Sequence, residues 1–167
     1  LHATGQALLP NLPVALLFLL LGVAHAVRMG RWLDRGLFGV PLLWSLYLAY
    51  AWLVLACLGM ALWHAGWLLN ASQPLHALTV GSMAGLILAM LSRVTLGHTG
   101  RPLVLPAGVS WAFVLLNAGA VSRVFLVEFW PQAGLWLAMI CWSLAFAIYL
   151  WRYAPMLWST RADGHPG

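Results

Sequence analysis

The amino-acid sequence predicts an all-α, polytopic transmembrane bundle, with about five membrane-spanning helices in one unit that covers residues 1–167. Hydrophobic residues make up 63% of the chain and charged residues only 7%, so a water-soluble domain of this length could not bury them all. Five apolar stretches are each close to the ~20 residues that span about 30 Å of hydrocarbon. They cover residues 12–29, 40–63, 75–97, 106–126 and 133–154. Period-two alternation is absent and backbone groups in lipid need partners within their own segment, so all five are predicted to be helices.

Short connections that contain helix breakers separate these stretches. In chain order they carry Gly30, Gly36 and Pro41, then NASQP at 70–74, then GHTGRP at 97–102, and then Pro131. The chain opens LHATGQALLP, without the basic segment and cleavage site of a signal peptide, and we expect it to be the carboxy-terminal portion of a larger protein.

Arginine placement predicts the orientation of the bundle, because membrane-flanking loops rich in Lys and Arg stay in the cytoplasm. The second loop has no charge, whereas the first loop, the third loop and the tail are basic. The arginines concerned are Arg28, Arg31 and Arg35, then Arg93 and Arg101, then Arg152 and Arg161. The amino terminus of this chain is therefore expected outside the cytoplasm and the carboxy terminus inside it. Arg123 departs from the pattern and is predicted to pair with Glu128.

The chain shows no catalytic constellation: paired carboxylates, G-x-S-x-G and a glycine-rich phosphate loop are all absent from it. Its basic residues lie in separate loops rather than on one clustered surface, which argues against nucleic-acid binding. Cys57 and Cys141 lie in apolar runs without a C-x-x-C pattern and are interpreted as buried hydrophobic residues. Asn117 is interpreted as a residue that hydrogen-bonds between helices. Whether the protein is an enzyme stays open.

Four histidines fall at the ends of the predicted helices and form two layers. His64 and His76 lie at the outer surface, and His25 and His98 lie at the inner surface. His76 and His98 are 22 residues apart in one helix, which at about 1.5 Å per residue is roughly 33 Å. They cannot bind one metal ion together, so they belong either to two sites or to none. The alternative interpretation is that they are interfacial residues with polar tips among the lipid headgroups.

The third helix is predicted to have two faces. For a regular α-helix, 22 steps of about 100° return to within roughly 40° of the start, which places both histidines on one face. The residues on that same stripe are Met83, Ile87, Met90 and Val94. A broadly opposite stripe has the small-x-x-x-small spacing that lets another helix backbone come close, and it consists of Ala77, Gly81, Gly85 and Ala89.

The stretch HALTVGSMAGLILAMLSRVTLGHTGRPL, residues 76–103, resembles the carboxy-terminal half of the NnrS family, and the flanking helices agree with it in order and spacing. The resemblance implies a multi-pass protein of the bacterial cytoplasmic (inner) membrane with the amino terminus of this chain in the periplasm. It also implies about twelve transmembrane helices, haem b and copper as cofactors, and a role in withstanding nitric oxide and nitrosative stress. The missing amino-terminal helices and the lipid bilayer are then its expected partners, with nitric oxide as a ligand or substrate.

For the site, the resemblance implies His76 and His98 as ligands of haem or metal, with Arg93 and Arg101 as partners of haem propionates. His64 and His25 are added as metal ligands only because of their depth, since imidazole nitrogen ligates both b-type haem iron and copper.

Three functions remain open from the sequence. The first is a haem- and copper-binding membrane protein of the nitric oxide response, in which the cofactor performs the chemistry and the protein supplies imidazoles and a dry pocket. The second is a transporter-like or structural membrane protein without a cofactor. The third is a membrane oxidoreductase that acts on nitric oxide, which would need an electron route and a proton-carrying residue that these helices do not show.

Overall fold

The structure, a computed structural model, describes residues 10–68 and 70–164. Within them five helices are long and apolar enough to cross a membrane, which confirms the predicted all-α transmembrane bundle. The helices are α1 (Leu12–Arg31), α2 (Pro41–His64), α3 (Ser72–His98), α4 (Val109–Phe129) and α5 (Pro131–Trp158). A short 3-10 turn, Arg35–Gly39, lies between α1 and α2.

Helix boundaries follow from local chemistry. The Asn11 side chain accepts a hydrogen bond from the Val14 N–H and caps α1 at 3.3 Å. Helices α2 and α5 begin at Pro41 and Pro131, where a missing N–H costs no helical bond. Helix α4 starts at Val109 rather than near 106, because Gly108 before it has a φ of +86°, outside the helical region.

Helix α3 lies at the centre of the bundle and α1 at its edge. In the most apolar window of α3, 44% of the residues are buried inside the protein, against 11% for α1. Helix α1 packs against α2, whereas α3 packs against α2, α4 and α5. The main core draws residues from α2 to α5, including Leu88, Phe113 and Tyr153. The central helix also carries three of the predicted site residues, His76, Arg93 and His98.

The small-residue stripe of α3 packs against α2, as predicted. Ala77, Gly81, Gly85 and Ala89 are all buried. A Cβ added at Gly81 would overlap the Trp52 ring, and one added at Gly85 would lie 2.9 Å from the Ala49 Cβ. This backbone approach between α2 and α3 depends on the absence of larger side chains.

The methionine stripe of α3 is exposed, but its predicted alignment with the histidines assumed regular α-helical winding. Met83, Ile87, Met90 and Val94 are each 43–50% exposed and face away from the bundle. Residues Ala77–Met83, however, form a π-helical segment. Bonds from i to i+5 put more residues into each turn, so the angular step falls below that of an α-helix. The calculation that placed His76 and His98 on one face therefore loses its basis.

Two smaller predictions are confirmed and one is wrong. The Trp52 Nε1–H donates a hydrogen bond to the Asn117 Oδ1 at 2.9 Å, which joins α2 to α4. Cys57 and Cys141 are free and buried. Arg123 does not pair with Glu128, since Arg161 and Asp163 form the only ion pair among residues 10–68 and 70–164. Arg123 lies in a second π-helical segment, Ser122–Leu126, and lines a cavity of about 310 Å³ against α5.

Candidate functional site

His76 is held by a defined hydrogen bond at the start of α3. Its Nδ1 lies 2.6 Å from the Ser72 carbonyl oxygen, one turn earlier, and 3.1 Å from the Ser72 Oγ. A carbonyl oxygen only accepts, so Nδ1 carries the hydrogen and donates. In the neutral ring the Nε2 then keeps its lone pair. An imidazole with its Nδ1–H on a backbone carbonyl is the usual form of a histidine that ligates a metal through Nε2.

His64, at the end of α2, is packed between aromatic rings. Its ring stacks on Phe18 at a centroid distance of 5.6 Å and contacts Trp63 edge-on at 4.5 Å. The backbone there is fixed as well, because the Asn11 N–H donates to the His64 carbonyl at 2.8 Å. Trp63 is only 6% exposed, and its Nε1–H has no hydrogen-bond partner in the described part of the chain. This end of the bundle therefore contains a buried indole N–H that no described residue satisfies.

The histidines at the other end differ from each other. His25 Nδ1 lies 2.5 Å from the Tyr50 hydroxyl, which links α1 to α2. His98 is exposed at the last residue of α3, and none of the hydrogen bonds among described residues involves its ring. Of the two predicted inner ligands, one is therefore engaged by a tyrosine and the other projects freely from the helix end.

Arg93 and Arg101 are also placed differently. Arg93 is exposed on α3 and takes part in no hydrogen bond or ion pair with another described residue. The Arg101 Nη2 donates to the Ser159 Oγ at 3.1 Å, and its Nη1 donates to the Thr99 carbonyl at 3.4 Å. Arg93 is thus the predicted propionate partner whose guanidinium has its donors available.

The carboxy-terminal tail folds back under the loop that follows His98. The Ala162 N–H donates to the Thr99 carbonyl at 3.0 Å, and the Asp163 carboxylate lies against Gly100, whose φ is +67°. A Cβ at Gly100 would collide with that carboxylate. Asp163 also pairs with Arg161 at 2.6 Å, and this hydrogen bond raises the pKa of the Arg161 guanidinium. The tail therefore fixes the backbone of residues 99–101.

The described histidines, cysteines and acids do not form a closed metal site. Among residues 10–68 and 70–164, no three of these side chains come together as a metal-binding group. His76 and His98 occupy opposite ends of one continuous helix, as the sequence predicted. The bundle therefore presents single histidine side chains at two levels. The Nε2 of His76 is oriented for coordination because its Nδ1 is hydrogen-bonded to the Ser72 carbonyl.

Three residues that form hydrogen bonds with the predicted site residues were not identified from the sequence. Ser72 precedes His76 by four residues, the spacing of neighbours on a helix, so its role could have been found from the pattern. Tyr50 and Ser159 lie 25 and 58 residues from their partners His25 and Arg101, and no local signal connects them.

A cavity of about 240 Å³ adjoins the turn that carries His76. It lies between α2, α3 and α4, and its lining includes Trp52, Gln73, Pro74, Ala77 and Phe125. The His76 ring is not part of that lining. The helix start therefore has an apolar groove and the half-buried His76 imidazole close to it.

Comparison with known proteins agrees with this architecture. The family model described as "NnrS protein" matches residues 1–161. No curated protein and no solved structure matches the chain. The match covers nearly the whole chain, including all five transmembrane helices and both levels of histidines, and on that basis the protein is a member of the NnrS family.

Proposed function

We propose that this protein takes part in the response to nitric oxide and nitrosative stress as a haem-binding protein of the bacterial inner membrane, with His76 as an axial ligand. Family membership supports a membrane protein of the nitric oxide response. The observation that carries the haem assignment is the hydrogen bond from His76 Nδ1 to the Ser72 carbonyl, at 2.6 Å. It orients Nε2 as a lone-pair donor, which is the group that binds haem iron in b-type proteins.

The residues present fit a haem through individual imidazoles. When bound, haem supplies an iron that takes up nitric oxide or passes electrons. The chain contributes the oriented imidazole of His76. Arg93 is the stronger propionate partner at the other end, because the Arg101 guanidinium is already bonded to the tail.

Copper does not fit the described residues as a closed site. A protein copper site draws on several imidazole or sulfur ligands at once, and no three candidate side chains come together in the described ranges. A copper site in this protein would therefore need ligands in addition to the described histidines and cysteines. The copper content is to be measured together with the haem content.

The competing function, a transporter-like or structural protein without cofactor, is favoured by one observation. His98 is exposed at a helix end and its ring has no partner among the described residues. This environment is typical of a histidine whose polar ring lies among lipid headgroups. The oxidoreductase alternative has no comparable support, because no described acid lies near the histidines as a hydrogen-bond or ion-pair partner.

The test is an optical spectrum and a haem and copper determination on the full-length protein purified in mild detergent. We expect a b-type haem spectrum in the wild type, and in His76→Ala a loss of haem or a shift of its Soret band with the fold retained. His98→Ala serves as the matched control at the other end of α3, and it is expected to keep the haem that His76 holds. A wild type without haem, or a His76→Ala variant with unchanged haem content and spectrum, would overturn the proposal.

A further inference from the structure

The carboxy-terminal end of α1 forms a cavity of about 570 Å³ that has a basic end and an apolar end. It is lined by Ala24, Val27, Arg28, Arg31 and Trp32. Arg28 and Arg31 are three residues apart and therefore lie on one side of the helix. The Arg28 guanidinium lies over the Trp32 ring, 4.5 Å from its centroid, which fixes its direction. Ala24 and Val27 continue the wall one turn further into the membrane-spanning part of α1.

The positive charge of this cavity is not neutralised within the described part of the protein. Arg28 and Arg31 make no ion pair there, since the single pair joins Arg161 to Asp163. The nearest acid in sequence, Asp34, uses its Oδ1 to accept a hydrogen bond from the Gly36 N–H at 2.7 Å, and so caps the following turn. Two guanidinium groups consequently present their donors to whatever occupies the cavity.

Within the described residues, helix α1 is exposed along most of its length. It packs against α2, and its other sides expose large apolar side chains, among them Leu17, Leu20 and Val27 at 58–66%. Trp32, 49% exposed at the end of the helix, is a typical residue of the headgroup level. The cavity therefore lies at the end of a membrane-spanning helix, which is the level where lipid phosphate groups meet acyl chains.

From this placement we infer that the cavity binds the phosphate of an anionic phospholipid headgroup. Arginine guanidinium binds phosphate oxygens in pairs, and basic clusters beside a transmembrane helix attract anionic lipids. The first acyl carbons lie along Ala24 and Val27, which a free phosphate ion would leave unused. The ordinary explanation of these arginines, an orientation signal, requires charge on the loop but no particular cavity.

The test uses the full-length protein in phosphatidylcholine nanodiscs with increasing phosphatidylglycerol, and it measures lipid retained on the protein by native mass spectrometry. The wild type is expected to retain phosphatidylglycerol over phosphatidylcholine. Each of Arg28→Gln and Arg31→Gln is expected to lower this preference about fivefold, and the pair about thirtyfold, because each arginine at the surface contributes separately to anionic-lipid binding. Arg28→Lys, which keeps the charge and the orientation signal, is expected to give an intermediate loss.

Arg35→Gln is the matched control, because it removes one charge from the same loop outside the cavity. An equal loss of preference in Arg35→Gln and Arg28→Gln would show diffuse attraction and overturn the inference. Inorganic phosphate separates the two sources of the ligand group. If it binds in an Arg28-dependent way in pure phosphatidylcholine nanodiscs and displaces phosphatidylglycerol, the site takes free phosphate and the lipid assignment is wrong.

Discussion

The first half of α3, residues 72–83, and its second half, Ala84–His98, each carry one histidine, but they hold it in different ways. In the first half the helix is mostly π-helical, and the Nδ1 of His76 is fixed by a hydrogen bond to the Ser72 carbonyl. In the second half the helix is regular, and His98 projects from its end without a partner among the described residues. A ligand histidine needs an oriented ring, so the two ends are not equivalent.

The π-helical segment coincides with a close contact between α3 and α2. The Ala84 N–H donates to the Thr79 carbonyl, an i to i+5 bond, in the stretch where Gly81 lies against the Trp52 ring. Extra residues in a turn widen the helix and redirect the side chains before it. The first half of α3 thus combines its tightest contact with α2 and its oriented imidazole, whereas the second half gains its stability from the core shared with α4 and α5.

The test with the largest expected effect concerns which end of the bundle lies outside the cytoplasm. A reporter active only in the cytoplasm is expected to work when fused after Arg101 or after Gly167, and to be inactive when fused at Ser72, because arginines flank the inner ends. A reporter active only in the periplasm, fused at the same three positions, should give the opposite pattern and controls for expression. The reverse result for both reporters would exchange the two ends and overturn the predicted orientation.

The next test compares one glycine from each half. Gly81→Leu is expected to destabilise the protein by about 3 kcal/mol or more, because even a Cβ there overlaps the Trp52 ring. Gly97→Leu is the matched control in the second half, since a Cβ at Gly97 meets nothing within 4 Å. Thermal denaturation in detergent measures both variants. Equal stability of the two would contradict the close packing of α2 against the first half of α3.

The sequence was sufficient for the parts of the fold that depend on local composition. Hydropathy predicts five spanning helices, and the spacing of Gly81 and Gly85 predicts the packing face, because both signals are carried by residues a few positions apart. The π-helical segment could not be predicted, since hydropathy and residue spacing do not distinguish it from a regular α-helix. The same holds for the tail, whose contact from Ser159 to Arg101 spans 58 residues.

The sequence identified candidate site residues, but it did not predict how they are arranged in space. His76 follows from its place in the quoted motif, and its Ser72 partner lies one helical turn away. The single-face relation of His76 and His98 assumed ideal α-helical winding, which the π-helical segment removes. Whether either histidine binds a cofactor stays a prediction, because imidazoles at helix ends serve equally as interfacial groups.

The test with the smallest expected effect on stability compares one interhelical hydrogen bond near each half of α3. Near the first half, the Trp52 Nε1–H donates to the Asn117 Oδ1 at 2.9 Å, and Trp52 is only 6% exposed. In the second half, the Thr95 Oγ1 and the Tyr149 hydroxyl lie 3.0 Å apart. Asn117→Leu leaves a buried indole N–H without an acceptor and is expected to cost about 1–3 kcal/mol. Tyr149→Phe is expected to cost about 0.6 kcal/mol, because the Thr95 hydroxyl can turn to the carbonyl one helical turn earlier.

A double-mutant cycle decides whether the first of these costs is due to the unpaired N–H. Trp52→Phe removes the donor together with some ring volume, so by itself it mixes two effects. In the combined Trp52→Phe, Asn117→Leu variant no unpaired donor remains, and the second substitution should then cost less than it does in the wild type. Thermal denaturation of the wild type, both single variants and the double variant gives the coupling free energy. Strictly additive losses would show that the bond between Trp52 and Asn117 contributes nothing to stability.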